Sequence, residues 1–266
     1  MIELKKYIWN KYNFIVELFR NIKFSFYTKT STSKNIDIYA IPIIIISFNQ
    51  LFYLKKLIDF LKECGYKNII IIDNNSTYKP LLEYFETIRN QVTLYLLNEN
   101  HGHRVFWKIN EINKKYSHDY FALTDPDINP IDECPKDFLK NFKNILDKNI
   151  KIHKVGFSLL LDEIPDTNPD KNKIKLWESR FWKQRNNDGD YIADIDTTFA
   201  LYKPIRFSNS SNFFKAIRTQ KPYIARHGGW YIDPKNLSEE QEFYINHANS
   251  SSSWLNKETD FYKNKI

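Results

Sequence analysis

Cysteine is scarce in this chain, which has only two among its 266 residues. Cys64 and Cys134 have neither the spacing of a zinc site nor the number that a disulfide framework needs. Such usage is typical of proteins from a reducing compartment, so we expect a cytoplasmic location.

Long apolar runs and phosphate-binding glycine motifs are missing too. No stretch reaches the roughly 18 consecutive apolar residues of a transmembrane helix, and the N-terminus lacks the pattern of a secretory signal. Only six glycines occur, and the first predicted strand is followed by neither Gly-x-Gly-x-x-Gly nor Gly-x-x-x-x-Gly-Lys-Ser/Thr. These absences argue against dinucleotide binding and P-loop phosphate chemistry.

Apolar and basic residues are plentiful. The apolar fraction is 42% and the aromatic fraction 16%, so the chain can bury a substantial core. Its 39 basic residues against 32 acidic ones give a net charge of +7. This charge favours anionic partners such as nucleotides, phosphates or acidic membrane surfaces.

Residues 1–36 differ from the rest and are interpreted as a basic, aromatic arm followed by a polar linker. Residues 1–29 hold six basic side chains against two acidic ones, and their apolar residues recur near helical spacing. Two interpretations stay open. The helix lies in a membrane interface, giving peripheral contact at the inner face of the cell membrane, or it packs on the domain or on a partner subunit.

From residue 37 to 266 the pattern predicts one α/β domain in which strands and helices alternate. Strands are predicted at 41–46, 68–72, 92–97 and 120–124, with helices at 51–63, 79–89 and 105–115 between them. This order predicts a mostly parallel sheet flanked by helices. Later elements are a helix at 135–148, strands at 154–161 and 197–202, a loop at 162–173 and a helix at 237–248.

In such a sheet the ligand binds outside the carboxyl ends of the strands. The predicted strands end in polar groups that suit the base and ribose of a nucleotide, together with one aromatic neighbour: Ser47, Phe48, Asn49, Asp73, Asn75, Asn100, Gly102 and Asp125. Taken singly, each polar residue is also a common cap or turn residue.

Asp125 and Asp127 flank Pro126 directly after the fourth strand. Extended backbone would point both carboxylates the same way, and two such charges repel unless a cation lies near them. A hard divalent cation takes one or two carboxylates and completes its shell with phosphate oxygens. A plain turn at the strand end is the alternative.

Four pieces in this order resemble the GT-A glycosyltransferases, most closely glycosyltransferase family 2: residues 45–49, 71–76, 100–102 and 124–127. The resemblance implies a GT-A-like, Rossmann-like fold with an acceptor-side C-terminal subregion. It also implies that Ser47, Asn49, Asp73 and Asn75 contact the nucleoside. Asp125 would lie near the ribose and the metal, and Asp127 would bind Mg²⁺ or Mn²⁺ directly.

The resemblance does not by itself identify the general base. Inverting members of that family use a carboxylate to take the proton of the acceptor hydroxyl, but their usual Glu-Asp pair is absent here. Asp196 is the first candidate, followed by Asp194 and then Asp233; for the first two, a capped turn before a strand fits equally well.

Residues 226–233 form a second group of site candidates. Arg226, His227 and Trp230 are predicted to face the diphosphate or sugar, as is Arg104 after the third strand. His227 is also a candidate third metal ligand, although a lone histidine is more often structural.

The predicted activity is transfer of a sugar from a nucleotide-diphosphate donor to a hydroxyl of a glycan or lipid-linked glycan, in polysaccharide or cell-envelope synthesis. Two alternatives stay open: a sugar-phosphate nucleotidyltransferase, and a non-catalytic protein that binds acidic glycans or RNA. The main prediction expects no nucleic-acid partner.

Overall fold

The computed structural model describes residues 36–149, 151–203 and 215–248, and eight residues between Trp9 and Ile22. The strands are β1 (Ile43–Ser47), β2 (Ile69–Asp73), β3 (Thr93–Leu96), β4 (Phe121–Thr124), β5 (Ile128–Pro130), β6 (Lys154–Leu159), β7 (Tyr191–Ile192), β8 (Ala200–Tyr202) and β9 (Ala216–His227). The helices are α1 (Phe52–Glu63), α2 (Lys79–Ile88), α3 (Val105–Lys108), α4 (Asn110–Tyr116), α5 (Phe138–Lys148), α6 (Lys171–Ser179) and α7 (Glu239–His247). Short 3₁₀ turns occupy Ile38–Ala40, Arg180–Trp182 and Gly228–Trp230.

All nine strands belong to one sheet, ordered β3-β2-β1-β4-β8-β6-β9-β5, with β7 paired to β9. The first four run parallel, as the alternation of strands and helices predicts. The second half is mixed, because β8 is antiparallel to both β4 and β6, and β9 is antiparallel to β5 and β7. The predicted GT-A-like α/β sheet flanked by helices is therefore confirmed, and the antiparallel pairs of its second half are a feature that the sequence did not predict.

The first strands are buried on both faces. In β1, Ile43 and Ile45 point into one apolar core, whereas Ile44 and Ile46 point into a second core on the other side of the sheet. Helices on both faces exclude water from the sheet, which explains why β-branched residues fill the strand without alternation. This continuous apolar run holds the end of β1, where the candidate site begins, in a rigid frame.

Helix ends follow local chemistry. α1 ends at Glu63, and Gly65 two residues later adopts φ 89° so that the amide of Tyr66 can donate to the carbonyl of Leu61 at 3.0 Å. Ser238 forms a reciprocal capping box with Gln241 at the start of α7. The helix predicted at 105–115 is in fact two helices, because Ile109 is extended.

One other expectation needs adjustment, and three strands were not predicted. The loop predicted at 162–173 ends inside α6, which begins at Lys171. β5, β7 and β9 were not predicted as strands. In β9, polar residues such as Arg218, Gln220 and Lys221 interrupt the alternation that marks a strand.

Part of the N-terminal arm is described. Its eight described residues are helical, and six of them expose apolar or aromatic side chains: Trp9, Tyr12, Ile15, Leu18, Phe19 and Ile22. The predicted linker at 27–35 lies outside the described residues. Within the part of the chain that the structure describes, no helix combines the length and apolarity needed to cross a membrane.

Candidate active site

The carboxyl ends of β1, β2 and β4 meet at one edge of the sheet, because the three strands are parallel neighbours. The β1–β2 register aligns Ser47 with Asp73, and the β1–β4 register aligns Ile45 with Thr124. The loops that follow the three strands therefore converge, and they carry the predicted nucleoside and acidic residues.

Asn49 joins the first loop to the second. The side-chain Oδ1 of Asn49 accepts hydrogen bonds from the backbone amides of Thr77 (2.8 Å) and Tyr78 (3.0 Å). The backbone amide of Asn49 donates to the hydroxyl of Ser76 at 2.8 Å. Asn49 is fully buried with φ 51°. Its Nδ2 is also buried and has no hydrogen-bond partner among the described residues.

Asp73 closes the turn after β2. Its carboxylate accepts hydrogen bonds from the amide (2.8 Å) and hydroxyl (2.6 Å) of Ser76. Burial raises the pKa of Asp73, and the bonds from Ser76 oppose that rise. Asn75 lies next to it with φ 64° and is exposed. Asp73 therefore shapes the loop, whereas Asn75 presents its side chain at the surface.

Asn74 links the loop after β2 to the loop after β3, and the sequence did not identify it as a site residue. Its Nδ2 donates to the carbonyl of Gly102 (3.0 Å), and its Oδ1 accepts from the amide of His101 (3.1 Å). Asn100 accepts from the amide of Gly102 at 2.8 Å. Gly102 has φ 78°, a backbone conformation that favours glycine. A Cβ added at this position would have no described atom within 4 Å, so the space beside Gly102 is open.

Asp125 follows β4 and is linked to the loop before β8. Its Oδ2 accepts a hydrogen bond of 2.8 Å from the hydroxyl of Thr197. Burial, followed by the charges of Asp127 and Asp196, raises the pKa of Asp125 well above its ordinary value. Asp125 is therefore held beside two other carboxylates at this edge, and their proximity favours its protonated form.

Asp127 is buried beside the turn after β9. The amides of Gly228 and Gly229 donate to its carbonyl (2.7 Å) and to Oδ2 (3.2 Å), respectively. Nδ1 of His227 lies 3.4 Å from the same Oδ2, and the imidazole stacks on Trp230 with ring centroids 4.8 Å apart. The structure thus brings the predicted groups Asp127, His227 and Trp230 together, although they are far apart in sequence.

The φ of Gly228 is not positive, so this position does not need glycine for its backbone conformation. The reason for glycine here is steric, because a Cβ at Gly228 would lie 2.5 Å from the ring of Tyr53. The absence of a side chain lets the turn pack against Tyr53 and direct its amides at Asp127.

A divalent cation beside Asp125, Asp127 and His227 would have few ligands from the protein. Among the described residues, no group of three or more His, Cys, Asp or Glu side chains is arranged to hold a metal. Asp125, Asp127 and His227 nevertheless share one edge, and Nδ1 of His227 is buried without a hydrogen bond. Two neighbouring carboxylates and an imidazole nitrogen are groups that can bind a divalent cation, whose remaining ligands would come from a diphosphate.

Two of the three predicted bases are accessible. Asp194 and Asp196 are exposed and flank the buried Ile195. Asp233 is engaged in its own turn, where its carboxylate accepts from the amide of Lys235 (3.0 Å) and from Nδ2 of Asn236 (2.8 Å). These bonds lower the pKa of Asp233.

The two predicted arginines differ in their surroundings. Arg226 makes two hydrogen bonds to the carboxylate of Glu163, of 2.6 and 3.2 Å, and its pKa is raised by that contact. Much of its charge is therefore already neutralised. Arg104 is exposed at the start of α3. Its positive charge acts to lower the pKa values of Lys154 and Tyr202.

The C-terminal helix α7 closes one side of the first loop. The ring of Phe48 meets Tyr244 edge to face at 6.3 Å, and both carboxylate oxygens of Glu240 accept from the amide of Phe52 at 3.1 Å. The sequence predicted this helix but held no signal for what it contacts.

Comparisons with known proteins give a family and one solved structure to which this chain is similar. The model of the family described as Glycosyl transferase family 2 matches residues 43–204, a range that contains the three strand-end loops, Asp194 and Asp196. One of 45 matching solved chains is the mannosyltransferase PcManGT from Pyrobaculum calidifontis, solved in complex with GDP-Man and Mn²⁺. It is 13% identical with a TM-score of 0.42, and the match covers 86% of this chain and 69% of that one. None of the curated proteins compared with the chain matches it.

Proposed function

We propose a metal, an acceptor and a stereochemical course for this chain, which belongs to glycosyltransferase family 2 because the family model matches more than half of its 266 residues. The chain is a glycosyltransferase, and its donor is a nucleotide sugar. The proposed reaction is metal-dependent, inverting transfer of the sugar to a hydroxyl of a glycan or lipid-linked glycan. Such a reaction fits the synthesis of a cell-envelope polysaccharide.

One observation carries this proposal. The loop held by Asn49 and Asp73 and the acidic pair of Asp125 and Asp127 lie at the same edge of the sheet. The unpartnered Nδ2 of Asn49 and the exposed Asn75 suit a nucleoside, whereas the carboxylates suit the ribose and a cation. Neither of the alternatives, a nucleotidyltransferase or a non-catalytic binding protein, explains the match to the family.

We assign Mg²⁺ or Mn²⁺ to Asp127, with Asp125 and His227 beside it. When bound, the ion would offset the charge that develops on the leaving diphosphate. The amides of Gly228 and Gly229 hold Asp127 in place from the other side. Arg104, which is exposed at the start of α3, and Arg226, which is paired with Glu163, are both proposed to meet the diphosphate.

The proton of the acceptor hydroxyl goes to a carboxylate in the proposed reaction. The hydroxyl oxygen bonds to the anomeric carbon as the bond from that carbon to the diphosphate oxygen breaks, and the diphosphate leaves with the electron pair. Asp196 remains the first candidate base, because it is exposed and lies close enough to Asp125 for its charge to raise the pKa of that carboxyl. Asp194 is second, and Asp233 is third because its own turn occupies it.

The arm of residues 1–29 is proposed to bring the domain to an acidic membrane surface on the cytoplasmic side, where a lipid-linked acceptor would lie. Its described apolar side chains are exposed, with Phe19 at 68% and Tyr12 at 59%. Exposed aromatics next to basic residues are typical of an interfacial helix. We keep residue 37 as the proposed start of the catalytic domain.

A thermal-shift screen tests the proposal. Nucleoside diphosphates and their sugar nucleotides are added with and without Mn²⁺, because a ligand that binds only the folded state raises Tm. We expect one base to raise Tm only when Mn²⁺ is present, and release of the diphosphate when an acceptor glycan is added. A preference for nucleoside triphosphate with sugar phosphate, or a response to none of these ligands, would overturn the proposal.

A further inference from the structure

Two buried cations hold the loop that carries Asp194 and Asp196. Lys154 on β6 is 0% exposed, and its Nζ donates to the carbonyl of Asp196 at 2.9 Å. Arg218 on β9 is 4% exposed, and its Nε donates to the carbonyl of Asp194, also at 2.9 Å. The backbone is thus held at alternate residues from the protein interior, while both carboxylates remain exposed to solvent.

We infer that Lys154 and Arg218 are positioning residues for sugar transfer, which fix this loop so that its carboxylates are aimed at the acceptor hydroxyl. This inference rests on the proposed function, in which Asp196 or Asp194 is the base. Neither cation touches a reacting atom. Their effect on the reaction passes through the two carbonyl groups that they hold.

Arg218 is itself oriented by a buried ion pair. Its Nη1 lies 2.9 Å from Oε2 of Glu178 on α6, with both side chains at least nine-tenths buried, and its guanidinium lies 4.1 Å from the ring centre of Phe181. The pair directs Nε towards the loop. A buried ion pair is weak evidence for stability, since a well-packed apolar pair often serves as well. A role in orientation explains its presence better.

The same argument applies to Lys154. Its Nζ lies 3.2 Å from the hydroxyl of Tyr202 and 5.0 Å from the centre of the Tyr202 ring. Burial lowers the pKa of Lys154 to about 7, although the nearby charge of Asp196 opposes that change. Burying an ammonium group is unfavourable, and an apolar side chain of similar length would pack here at lower cost. What such a side chain lacks is the donor to the Asp196 carbonyl.

A third contact links this loop to the acidic pair. Thr197, the residue after Asp196, donates to Asp125 at 2.8 Å. The loop is therefore held on one side by Lys154 and Arg218 and contacts Asp125, at the proposed donor and metal site, on the other. A shift of the loop would move the candidate base relative to the donor, and misplacement by about 1 Å can cost about 100-fold in rate.

Lys203 provides a matched control for Lys154. It is 1% exposed, its pKa is likewise lowered to about 7 by burial, and its Nζ donates to the carbonyl of Asn149 at 3.0 Å. Asn149 follows α5 and is not part of the site. Lys154→Met and Lys203→Met therefore remove equivalent buried donors, of which only one serves the loop.

The experiment measures kcat, the KM for donor and Tm of both variants beside wild type, after the screen has identified the donor. We expect Lys154→Met to lower kcat about tenfold or more while the donor KM changes much less, and Lys203→Met to leave both near the wild-type values. Unchanged kcat in Lys154→Met, or equal losses in the two variants, would overturn the inference. If Lys154→Met does not fold, Arg218→Lys is judged by the same outcomes. An inactive wild type would instead contradict the proposed function.

Discussion

Thr197 donates a hydrogen bond of 2.8 Å to Oδ2 of Asp125, although 72 positions separate the two residues. The bond favours the ionised form of a carboxylate that burial and the charge of Asp127 disfavour. Thr197→Val keeps the shape of the side chain and removes the donor. Because hydrogen bonds to charged groups contribute about 1.5–3 kcal/mol, we expect kcat/KM to fall about tenfold or more in steady-state assays.

The next residue supplies the control for this prediction. The hydroxyl of Thr198 is buried without a hydrogen-bond partner in the described part of the chain. Thr198→Val should therefore leave kcat/KM within about twofold of wild type. Similar losses in both variants would show that the Asp125 contact has no special role.

Asp127→Asn tests the metal site. The substitution keeps the size of the side chain and removes the charge that would bind the cation. We expect loss of the Mn²⁺-dependent rise in Tm with nucleoside diphosphate, and a fall in kcat of about 100-fold or more. Asp59→Asn, at an exposed position of α1, is the control and should retain both. A normal Mn²⁺ response in Asp127→Asn would remove this residue from the site.

The candidate bases can be ranked by substitution. Loss of a general base typically costs about 100- to 10,000-fold in rate. We expect Asp196→Asn to lower kcat into that range with little change in donor KM, and Asp194→Asn to have a smaller effect. Asp233→Asn should be the mildest, because its carboxylate is occupied within its turn. A dominant effect of Asp194→Asn would reverse the order of the first two.

Much of the first half of this fold could be predicted from the sequence, because its strands are continuous apolar runs. The predicted strand at 41–46 corresponds to β1 at Ile43–Ser47, and the predicted helix at 79–89 corresponds to α2 at Lys79–Ile88. Parallel strands buried on both faces give the simplest pattern. Their ends then identify the candidate site, because ligands bind at that edge in such sheets.

The second half was harder because its contacts are distant in sequence. The sequence of β9 contains many polar residues and lacks the alternation of a strand. Its pairing with β5 aligns His227 with Ile128, which lie about 100 positions apart in the chain. Residue type alone did not show that Glu163 pairs with Arg226, or that Asn74 bridges two loops. The buried Lys154 was passed over because lysine is normally a surface residue.

Lys203 should make stability depend on pH. Its pKa is about 7 in the folded protein and about 10.4 when unfolded, so between these values the unfolded state binds more protons. The free energy of unfolding therefore rises with pH across this range, by at most about 1.4 kcal/mol per pH unit for one such group. Below pH 7 both states are protonated and this contribution is constant.

Lys203→Met removes this group and should flatten the profile. Urea unfolding of both proteins at several pH values between 6 and 9.5 measures the difference, which we expect to favour wild type increasingly above pH 7. Lys154, whose pKa is lowered to a similar value, remains in both proteins and cancels in the comparison. Parallel pH profiles would mean that Lys203 keeps an ordinary pKa in the folded chain.

We expect the arm of residues 1–29 to bind acidic membranes. Its described apolar side chains face solvent, as Leu18 at 50% and Phe19 at 68% show, and basic residues surround them in sequence. We expect the full chain to sediment with vesicles that contain phosphatidylglycerol but not with neutral vesicles, since interfacial binding combines apolar burial with electrostatic attraction. The double change Leu18→Ser and Phe19→Ser should weaken this binding about tenfold or more. Leu176→Ser, which changes a leucine 62% exposed on α6, should not, and equal binding by all three proteins would exclude the arm as the membrane contact.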